Sequence, residues 1–395
     1  MTPGGRLSAA MEILDAVIAG EPAERVLTRW ARASRFAGSK DRAAIRDIVY
    51  DVLRRRRSCL WSSGAGQESG RALVTGLLVQ TAPQDLTLYD GAGHAPAPLG
   101  AEEEAGQRAT LDEARVAVRC DFPDFLEPEL RRSLDERLEQ VMTALRDRAP
   151  VDLRVNRLRA TPDQAAQALR AEGIETEPLA DAPDALRVVA GQRGVAGSRA
   201  YRDGMVELQD AASQQVAAAV RAEKGMRVLD LCAGGGGKTL ALAAHMGGQG
   251  TLAAYDANPA RMRDLPARAE RAGVRVTIAD DGLLARMQGA FDRVLVDAPC
   301  SGTGAWRRNP DQKWRLTQAD LAELVALQAR ILDRALTLVR PEGRILYATC
   351  SLLACENEDQ PRAFLDRHDH ALKGAERRLD PGPGGDGFYF CELLP

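Results

Sequence analysis

The chain has 395 residues, 28% of them charged and 45% hydrophobic, with a net charge of −3 at neutral pH. That length exceeds what one hydrophobic core usually spans and predicts two or three domains, while the near-neutral balance excludes a globally basic nucleic-acid binder. No apolar stretch reaches membrane-spanning length and the first residues lack the apolar core of a signal peptide, so a cytoplasmic protein without membrane contact is expected. The seven cysteines contain no Cys-x-x-Cys pair and the four histidines form no ligand cluster, which argues against a disulfide framework and against a metal site.

From Leu7 to about Trp61 apolar residues recur at three- and four-residue spacing. Ala10, Ile13, Leu14, Val17 and Ile18 form one run and Ile45, Ile48, Val49, Val52 and Leu53 another, as amphipathic helices require. Gly38-Ser39-Lys40-Asp41 reads as a loop and helix start. The Gly/Ala/Pro-rich interval 90–106 reads as an exposed loop, after which helical character resumes to about Arg148. Residues 1–148 are therefore predicted to form a small all-α domain. Its densest basic cluster, Arg54-Arg55-Arg56-Arg57, suits either bidentate phosphate contact or a solvated helix end.

Val151–Asn156 alternates as a strand, and Thr161 is placed to cap a helix that Gly173 ends. Residues 149–205 read as a small α+β connector. Across 206–395, strand candidates at Arg227–Asp230, Thr251–Tyr255, Arg275–Ile278, Arg293–Val296 and Arg344–Ala348 alternate with helices. That alternation predicts a doubly wound α/β domain with a mostly parallel, Rossmann-like sheet.

The turn Asp230-Leu231-Cys232-Ala233-Gly234-Gly235-Gly236-Gly237-Lys238 follows the first of these strands and opens a helix, which brings backbone amides close to a nucleotide-like ligand. It is not a phosphate-binding loop, because Cys232 stands where that motif needs its first Gly. Asp256 ends the next strand, where a carboxylate can meet ribose hydroxyls, and Asp281 ends a third, where an adenine amino group can be met. These features favour S-adenosylmethionine over a dinucleotide. The candidate cofactor residues are Cys232, Ala233, Gly234, Gly235, Gly236, Gly237, Lys238, Asp256, Arg261, Asp281 and Asp297. Two thiols complete the pattern: Cys300 in Asp297-Ala298-Pro299-Cys300-Ser301 and Cys350 in Thr349-Cys350-Ser351 each close an apolar run of the kind found in buried parallel strands.

Together with Arg308-Asn309-Pro310-Asp311, Lys313-Trp314, Glu356-Asn357-Glu358 and the closing Gly385-Asp386-Gly387-Phe388-Tyr389, these segments resemble the Nop/Sun family of RNA cytosine-5 methyltransferases. The helical N-terminus, with Asp41-Arg42-Ala43 and Val49-Tyr50-Asp51-Val52-Leu53-Arg54, is similar to the NusB-like RNA-binding domain of the RsmB branch, bacterial enzymes that act on 16S ribosomal RNA. One departure is Gly235, where the family turn usually carries Pro. The resemblance implies S-adenosylmethionine as cofactor, RNA from the small ribosomal subunit as partner, no metal, and a monomer.

It also implies roles. Cys350 would be the nucleophile that adds to carbon 6 of cytosine, since a thiolate there breaks the ring's aromaticity and activates carbon 5, and Cys300 would assist release. Asp297 would hydrogen-bond the base as charge builds up, and Lys238 would position Asp297 or the cofactor's carboxylate. Arg308 and Lys313 are candidates for phosphate contact, and Trp306 and Trp314 for stacking on splayed bases or packing under the loop. Two alternatives stay open: a DNA cytosine-5 methyltransferase, in which the Pro-Cys thiol attacks, and a non-catalytic RNA-binding assembly factor on a methyltransferase fold.

Overall fold

Helices fill the first part of the chain because its apolar residues fall on single faces. Pro3–Ile18, capped by the Thr2 hydroxyl, Ala23–Ala33, Ser39–Arg54, Arg56–Ser63 and Gly70–Thr81 bury Ile13, Leu14, Ile45, Val49, Val52 and Leu73 in one core. Each such fully buried aliphatic side chain contributes about 1.5–3 kcal/mol. Gly76 lets the last two helices touch, since a Cβ there would sit 1.7 Å from the Cys59 carbonyl oxygen. The interval expected to be loop at 90–106 holds a short helix, Ala101–Gly106, whose start is tied by Glu103 accepting from the Gly100 amide at 2.9 Å.

In the computed structural model, which describes all 395 residues, the chain forms two units. The first comprises Met1–Arg148 together with Trp306–Leu316. The second comprises Ala149–Ala305 and Thr317–Pro395. Placement of Trp306–Leu316 with the helices changes the reading of that segment. Lys313, expected to meet phosphate, is 3% exposed and donates to the Arg54 carbonyl at 3.0 Å. Trp306 is buried, and the Trp314 indole donates to the Leu53 carbonyl at 2.7 Å, so neither ring is splayed for a base. Arg308 alone of the four stays exposed.

The second unit holds two sheets. In the smaller, β1 (Val151–Val155), β2 (Glu175–Leu179), β3 (Ala182–Ala190) and β4 (Val206–Leu208) run antiparallel in the order β2-β3-β1-β4. The helix Pro162–Arg170 packs on it, with the Thr161 hydroxyl accepting from the Gln164 amide at its start. The larger sheet comprises β5 (Arg227–Asp230), β6 (Thr251–Ala254), β7 (Thr277–Ile278), β8 (Phe291–Asp297), β9 (Val339–Thr349), β10 (Leu372–Leu379) and β11 (Phe388–Leu394). Its order is β10-β11-β9-β8-β5-β6-β7, parallel from β9 to β7 and antiparallel at the β10-β11 end. Val294, Val296, Ile345 and Tyr347 are fully buried, as strands covered on both faces must be. The third expected strand is shorter than its apolar run suggested, only Thr277–Ile278.

Candidate active site

From β5 the chain moves outward to β6 and β7, then returns to the other side of β5 to lay down β8 and β9. Reversal of strand order between β5 and β8 opens a crevice at their carboxyl ends, where ligands bind in open α/β sheets. Asp230 and Asp297 end these two strands.

The Gly-rich turn is stitched to its neighbours. Leu231 N–H donates to the Leu295 carbonyl and Ala233 N–H to the Tyr255 carbonyl, both at 2.9 Å. Gly236 caps the helix Gly237–His245 at φ +83°, and a Cβ there would stand 2.3 Å from Leu265, so both backbone and packing demand glycine. The Cys232 thiol is half-buried beside Asp230, and desolvation raises its pKa.

Asp256 lies at 5% exposure with Oδ2 accepting from the Gly234 amide at 2.9 Å and Oδ1 from the Asn258 amide at 2.9 Å. The Arg261 guanidinium reaches the same carboxylate at 3.2 Å. Asp281 is exposed and engaged: the Tyr255 hydroxyl donates to it at 2.8 Å and Arg334 pairs with it at 2.7 Å, and these two bonds lower its pKa. An adenine amine meeting Asp281 would therefore compete with Arg334.

Asp230 is buried, with Oδ2 accepting from the Thr239 hydroxyl at 2.7 Å and Oδ1 left without a partner. Burial, reinforced by Asp297, pushes its pKa up to about 7. A buried carboxylate oxygen lacking a donor at a sheet crevice is a receptor for a cation. S-adenosylmethionine, which carries an ammonium and a sulfonium, fits that donor set, and the glycines keep side chains off its approach.

Lys238 bridges the crevice to the thiols. Its ammonium lies 2.7 Å from Asp297 Oδ2 and 5.0 Å from the Phe388 ring centre. Burial opposes its charge, but Asp297, Cys350 and Asp230 more than offset this and hold its pKa above the usual value. Cys300 Sγ and Cys350 Sγ are 3.4 Å apart at the ends of the adjacent parallel strands β8 and β9. The Cys350 sulfur, then burial, keeps the Cys300 thiol protonated well above the ordinary range.

Behind the two thiols lies a carboxylate to which sequence reading gave no role. Glu356 is fully buried and accepts from the Ser301 amide (2.8 Å), the Ser301 hydroxyl (2.5 Å), the Ser351 hydroxyl (2.5 Å) and Gln328 Nε2 (3.0 Å). Ser301 and Ser351 directly follow the two cysteines, so one side chain ties both cysteine turns together. Thr303 adds a link by accepting from the Leu352 amide at 2.7 Å, and the Cys350 carbonyl accepts from the Gly304 amide at 2.9 Å. The repeated Cys-Ser pair was the available signal, but only the fold brings Glu356 to both.

The mostly parallel sheet, its glycine turn and the carboxylates of the crevice define the S-adenosylmethionine-dependent methyltransferase class. Residues 217–387 match the family model described as 16S rRNA methyltransferase RsmB/F, and residues 122–193 match its ferredoxin-like domain. The chain is 34% identical over 305 residues to ribosomal RNA small subunit methyltransferase B of Serratia proteamaculans, covering 74% of this chain and 70% of that protein. It is 36% identical over 301 residues to the protein of that name from Salmonella typhi, covering 73% and 70%. The chain belongs to the RsmB/F family of 16S rRNA methyltransferases. Among solved structures, that of PH0851 superposes with a TM-score of 0.77 over 100% of this chain and 99% of its own at 22% identity. A methyltransferase homologue from Pyrococcus horikoshii gives 0.62 over 70% and 97% at 23% identity; both are likenesses of fold.

Proposed function

We propose that the protein methylates carbon 5 of a cytosine in 16S ribosomal RNA, with Cys350 as nucleophile, Cys300 serving release, Asp297 holding the base and Lys238 holding Asp297. The observation that carries this reading is the pair of thiols 3.4 Å apart beside the Lys238–Asp297 ion pair. One thiol is enough to attack a ring; two in contact suit an addition followed by an elimination. Bound S-adenosylmethionine supplies an electrophilic sulfonium methyl group.

The residues divide the remaining work. Sulfur of Cys350 adds to carbon 6, and the electron pair displaced from the ring makes carbon 5 nucleophilic. Asp297, fixed by Lys238, accepts from the exocyclic amine and orients the ring; the Lys238 ammonium also faces the charge that accumulates on addition. After carbon 5 is methylated, the neighbouring Cys300 thiol gives its proton to the departing Cys350 sulfur and, as the thiolate so formed, takes the carbon-5 proton, whose bonding pair restores the carbon 5–carbon 6 double bond. Assignment of attack to Cys350 rather than Cys300 rests on the family resemblance.

The cofactor residues proposed are the turn Cys232 to Lys238 with Asp230, Asp256, Arg261 and Asp281. Transfer of label from S-adenosylmethionine to 16S rRNA, followed by bisulfite sequencing, tests the reading. One protected cytosine is expected; label on another base or position would refute it.

A further inference from the structure

One buried charge in the second unit is not accounted for by the stability of the fold. Arg154, on β1, is 3% exposed, yet its guanidinium bonds only to neutral oxygens. Nη1 donates to the Gln209 side-chain oxygen and, at 2.6 Å, to the Gly237 carbonyl, while Nε has no partner. Burial lowers its pKa to about 10, as expected of a cation held where charge is disfavoured. A buried ion without a counter-ion weakens a fold, so packing alone gives no reason for an arginine at this position.

What it grips is the cofactor turn. Gly237 is the first residue of the helix Gly237–His245, and the residue after it is Lys238, which pairs with Asp297. A second arginine grips the same turn two residues earlier. Arg268, on the helix Leu265–Ala272, donates through Nη1 to the Gly235 carbonyl and through Nη2 to Glu207 at 3.0 Å. Glu207 is buried on β4, directly opposite Arg154 in the β1–β4 register, and also accepts from Arg271. One cross-strand pair of the small sheet therefore reaches the turn twice, Arg154 directly and Glu207 through Arg268.

The turn needs such holding. Gly234 to Gly237 are four consecutive glycines, with Gly234 at φ +52° and Gly236 at φ +83°, and glycine has more backbone freedom to lose than any other residue. In a free turn that loss falls on cofactor binding; in a turn already fixed by its carbonyls it does not. We propose that Arg154 and Arg268, the latter held by Glu207, are positioning residues that preorganise the glycine turn for S-adenosylmethionine, which makes the small sheet part of the cofactor site. The inference rests on the cofactor site described above and adds what sets its shape before the ligand arrives.

Calorimetry with S-adenosylmethionine, hydrogen exchange of the turn in the cofactor-free protein and urea unfolding test it together on the full chain. Arg154→Met and Arg268→Met should each weaken cofactor binding about tenfold, the share of one charge-assisted hydrogen bond, and speed amide exchange across 233–238 by a similar factor. The unfolding midpoint of Arg154→Met should not fall, since removal of a buried charge offsets the bond lost to Gln209. That split separates positioning from support, because a merely structural arginine would lower the midpoint and loosen the whole domain alike. Wild-type affinity and turn exchange in both variants would overturn the proposal, and so would weaker binding that only follows a lower midpoint. A wild-type protein that binds no S-adenosylmethionine would remove the cofactor site itself, an outcome distinct from failure of the two variants.

Discussion

Replacement of Glu356 is the most informative perturbation of the site's framework. Its two oxygens accept four hydrogen bonds with no exposure to water, and bonds to a charged acceptor contribute about 1.5–3 kcal/mol each. Glu356→Gln keeps the volume but turns one oxygen into a donor, so the bonds from the Ser301 and Ser351 hydroxyls to Oε2 are lost or must reverse. The smaller desolvation cost of a neutral amide offsets part of this, leaving a net loss of roughly 2–4 kcal/mol. Glu356→Ala removes all four bonds and leaves the Ser301 amide without its acceptor, while Gln328 keeps the Pro299 carbonyl and the two serine hydroxyls keep each other, so it should cost roughly 4 kcal/mol, a large share of a domain's usual stability of about 5–15 kcal/mol. Urea unfolding measures that cost. Positioning is read separately: calorimetry should give the Gln variant a cofactor affinity within about twofold of wild type, because the glycine turn makes no bond to Glu356. Single-turnover methyl transfer should slow at least about tenfold, equivalent to about 1.4 kcal/mol at the barrier. An Ala variant with wild-type unfolding midpoint and rate would refute the argument that this carboxylate sets the two cysteine turns.

Asp256→Ala should weaken S-adenosylmethionine binding, because it removes both the acceptor for the Gly234 amide and the anchor for Arg261; unchanged affinity by calorimetry would remove Asp256 from the cofactor site. Asp230, with its pKa at about 7, is neutral below that pH and anionic above it, so affinity for the cationic cofactor should rise as pH increases through 7, and Asp230→Asn should flatten the profile. Burial lowers the Lys313 pKa from 10.5 to about 7. Between those values the unfolded chain binds more protons than the folded one, so this residue's contribution makes stability rise with pH across that window and fully penalises folding below pH 7. The stability difference between Lys313→Met and wild type should therefore favour the variant most below pH 7 and shrink toward pH 10; a pH-independent difference would contradict the buried-lysine account.

Where the physics is local, the chain's own order was enough to read it. Strand, glycine turn and helix at 227–245 follow one another directly, and the apolar runs before Cys300 and Cys350 are long enough to mark strands. Thr161 and Gly173 bracket a helix through contacts three or four residues away. What escaped reading depends on partners far along the chain. Arg54-Arg55-Arg56-Arg57 reads equally as a phosphate contact or a solvated helix end until Glu68, Asp124 and Asp147 are folded against it. Lys313 and Trp314 look like RNA contacts until the carbonyls of Arg54 and Leu53, about 260 residues earlier, take their donors. Asp281 looks free until Arg334 arrives from the long helix Gln318–Leu338. In each case a polar group was identified correctly by type, and its use was decided by an ion pair or backbone carbonyl that only the fold supplies.

The central claim is that two adjacent thiols divide one reaction, and trapping of covalent RNA on a denaturing gel tests it most directly. Cys350→Ala should form no adduct and transfer no methyl group, since nothing remains to add at carbon 6. Cys300→Ala should still attack and methylate, then fail to let go, leaving protein bound to RNA through Cys350. Persistent adduct in Cys350→Ala and none in Cys300→Ala would contradict the assignment and exchange the roles of the two sulfurs.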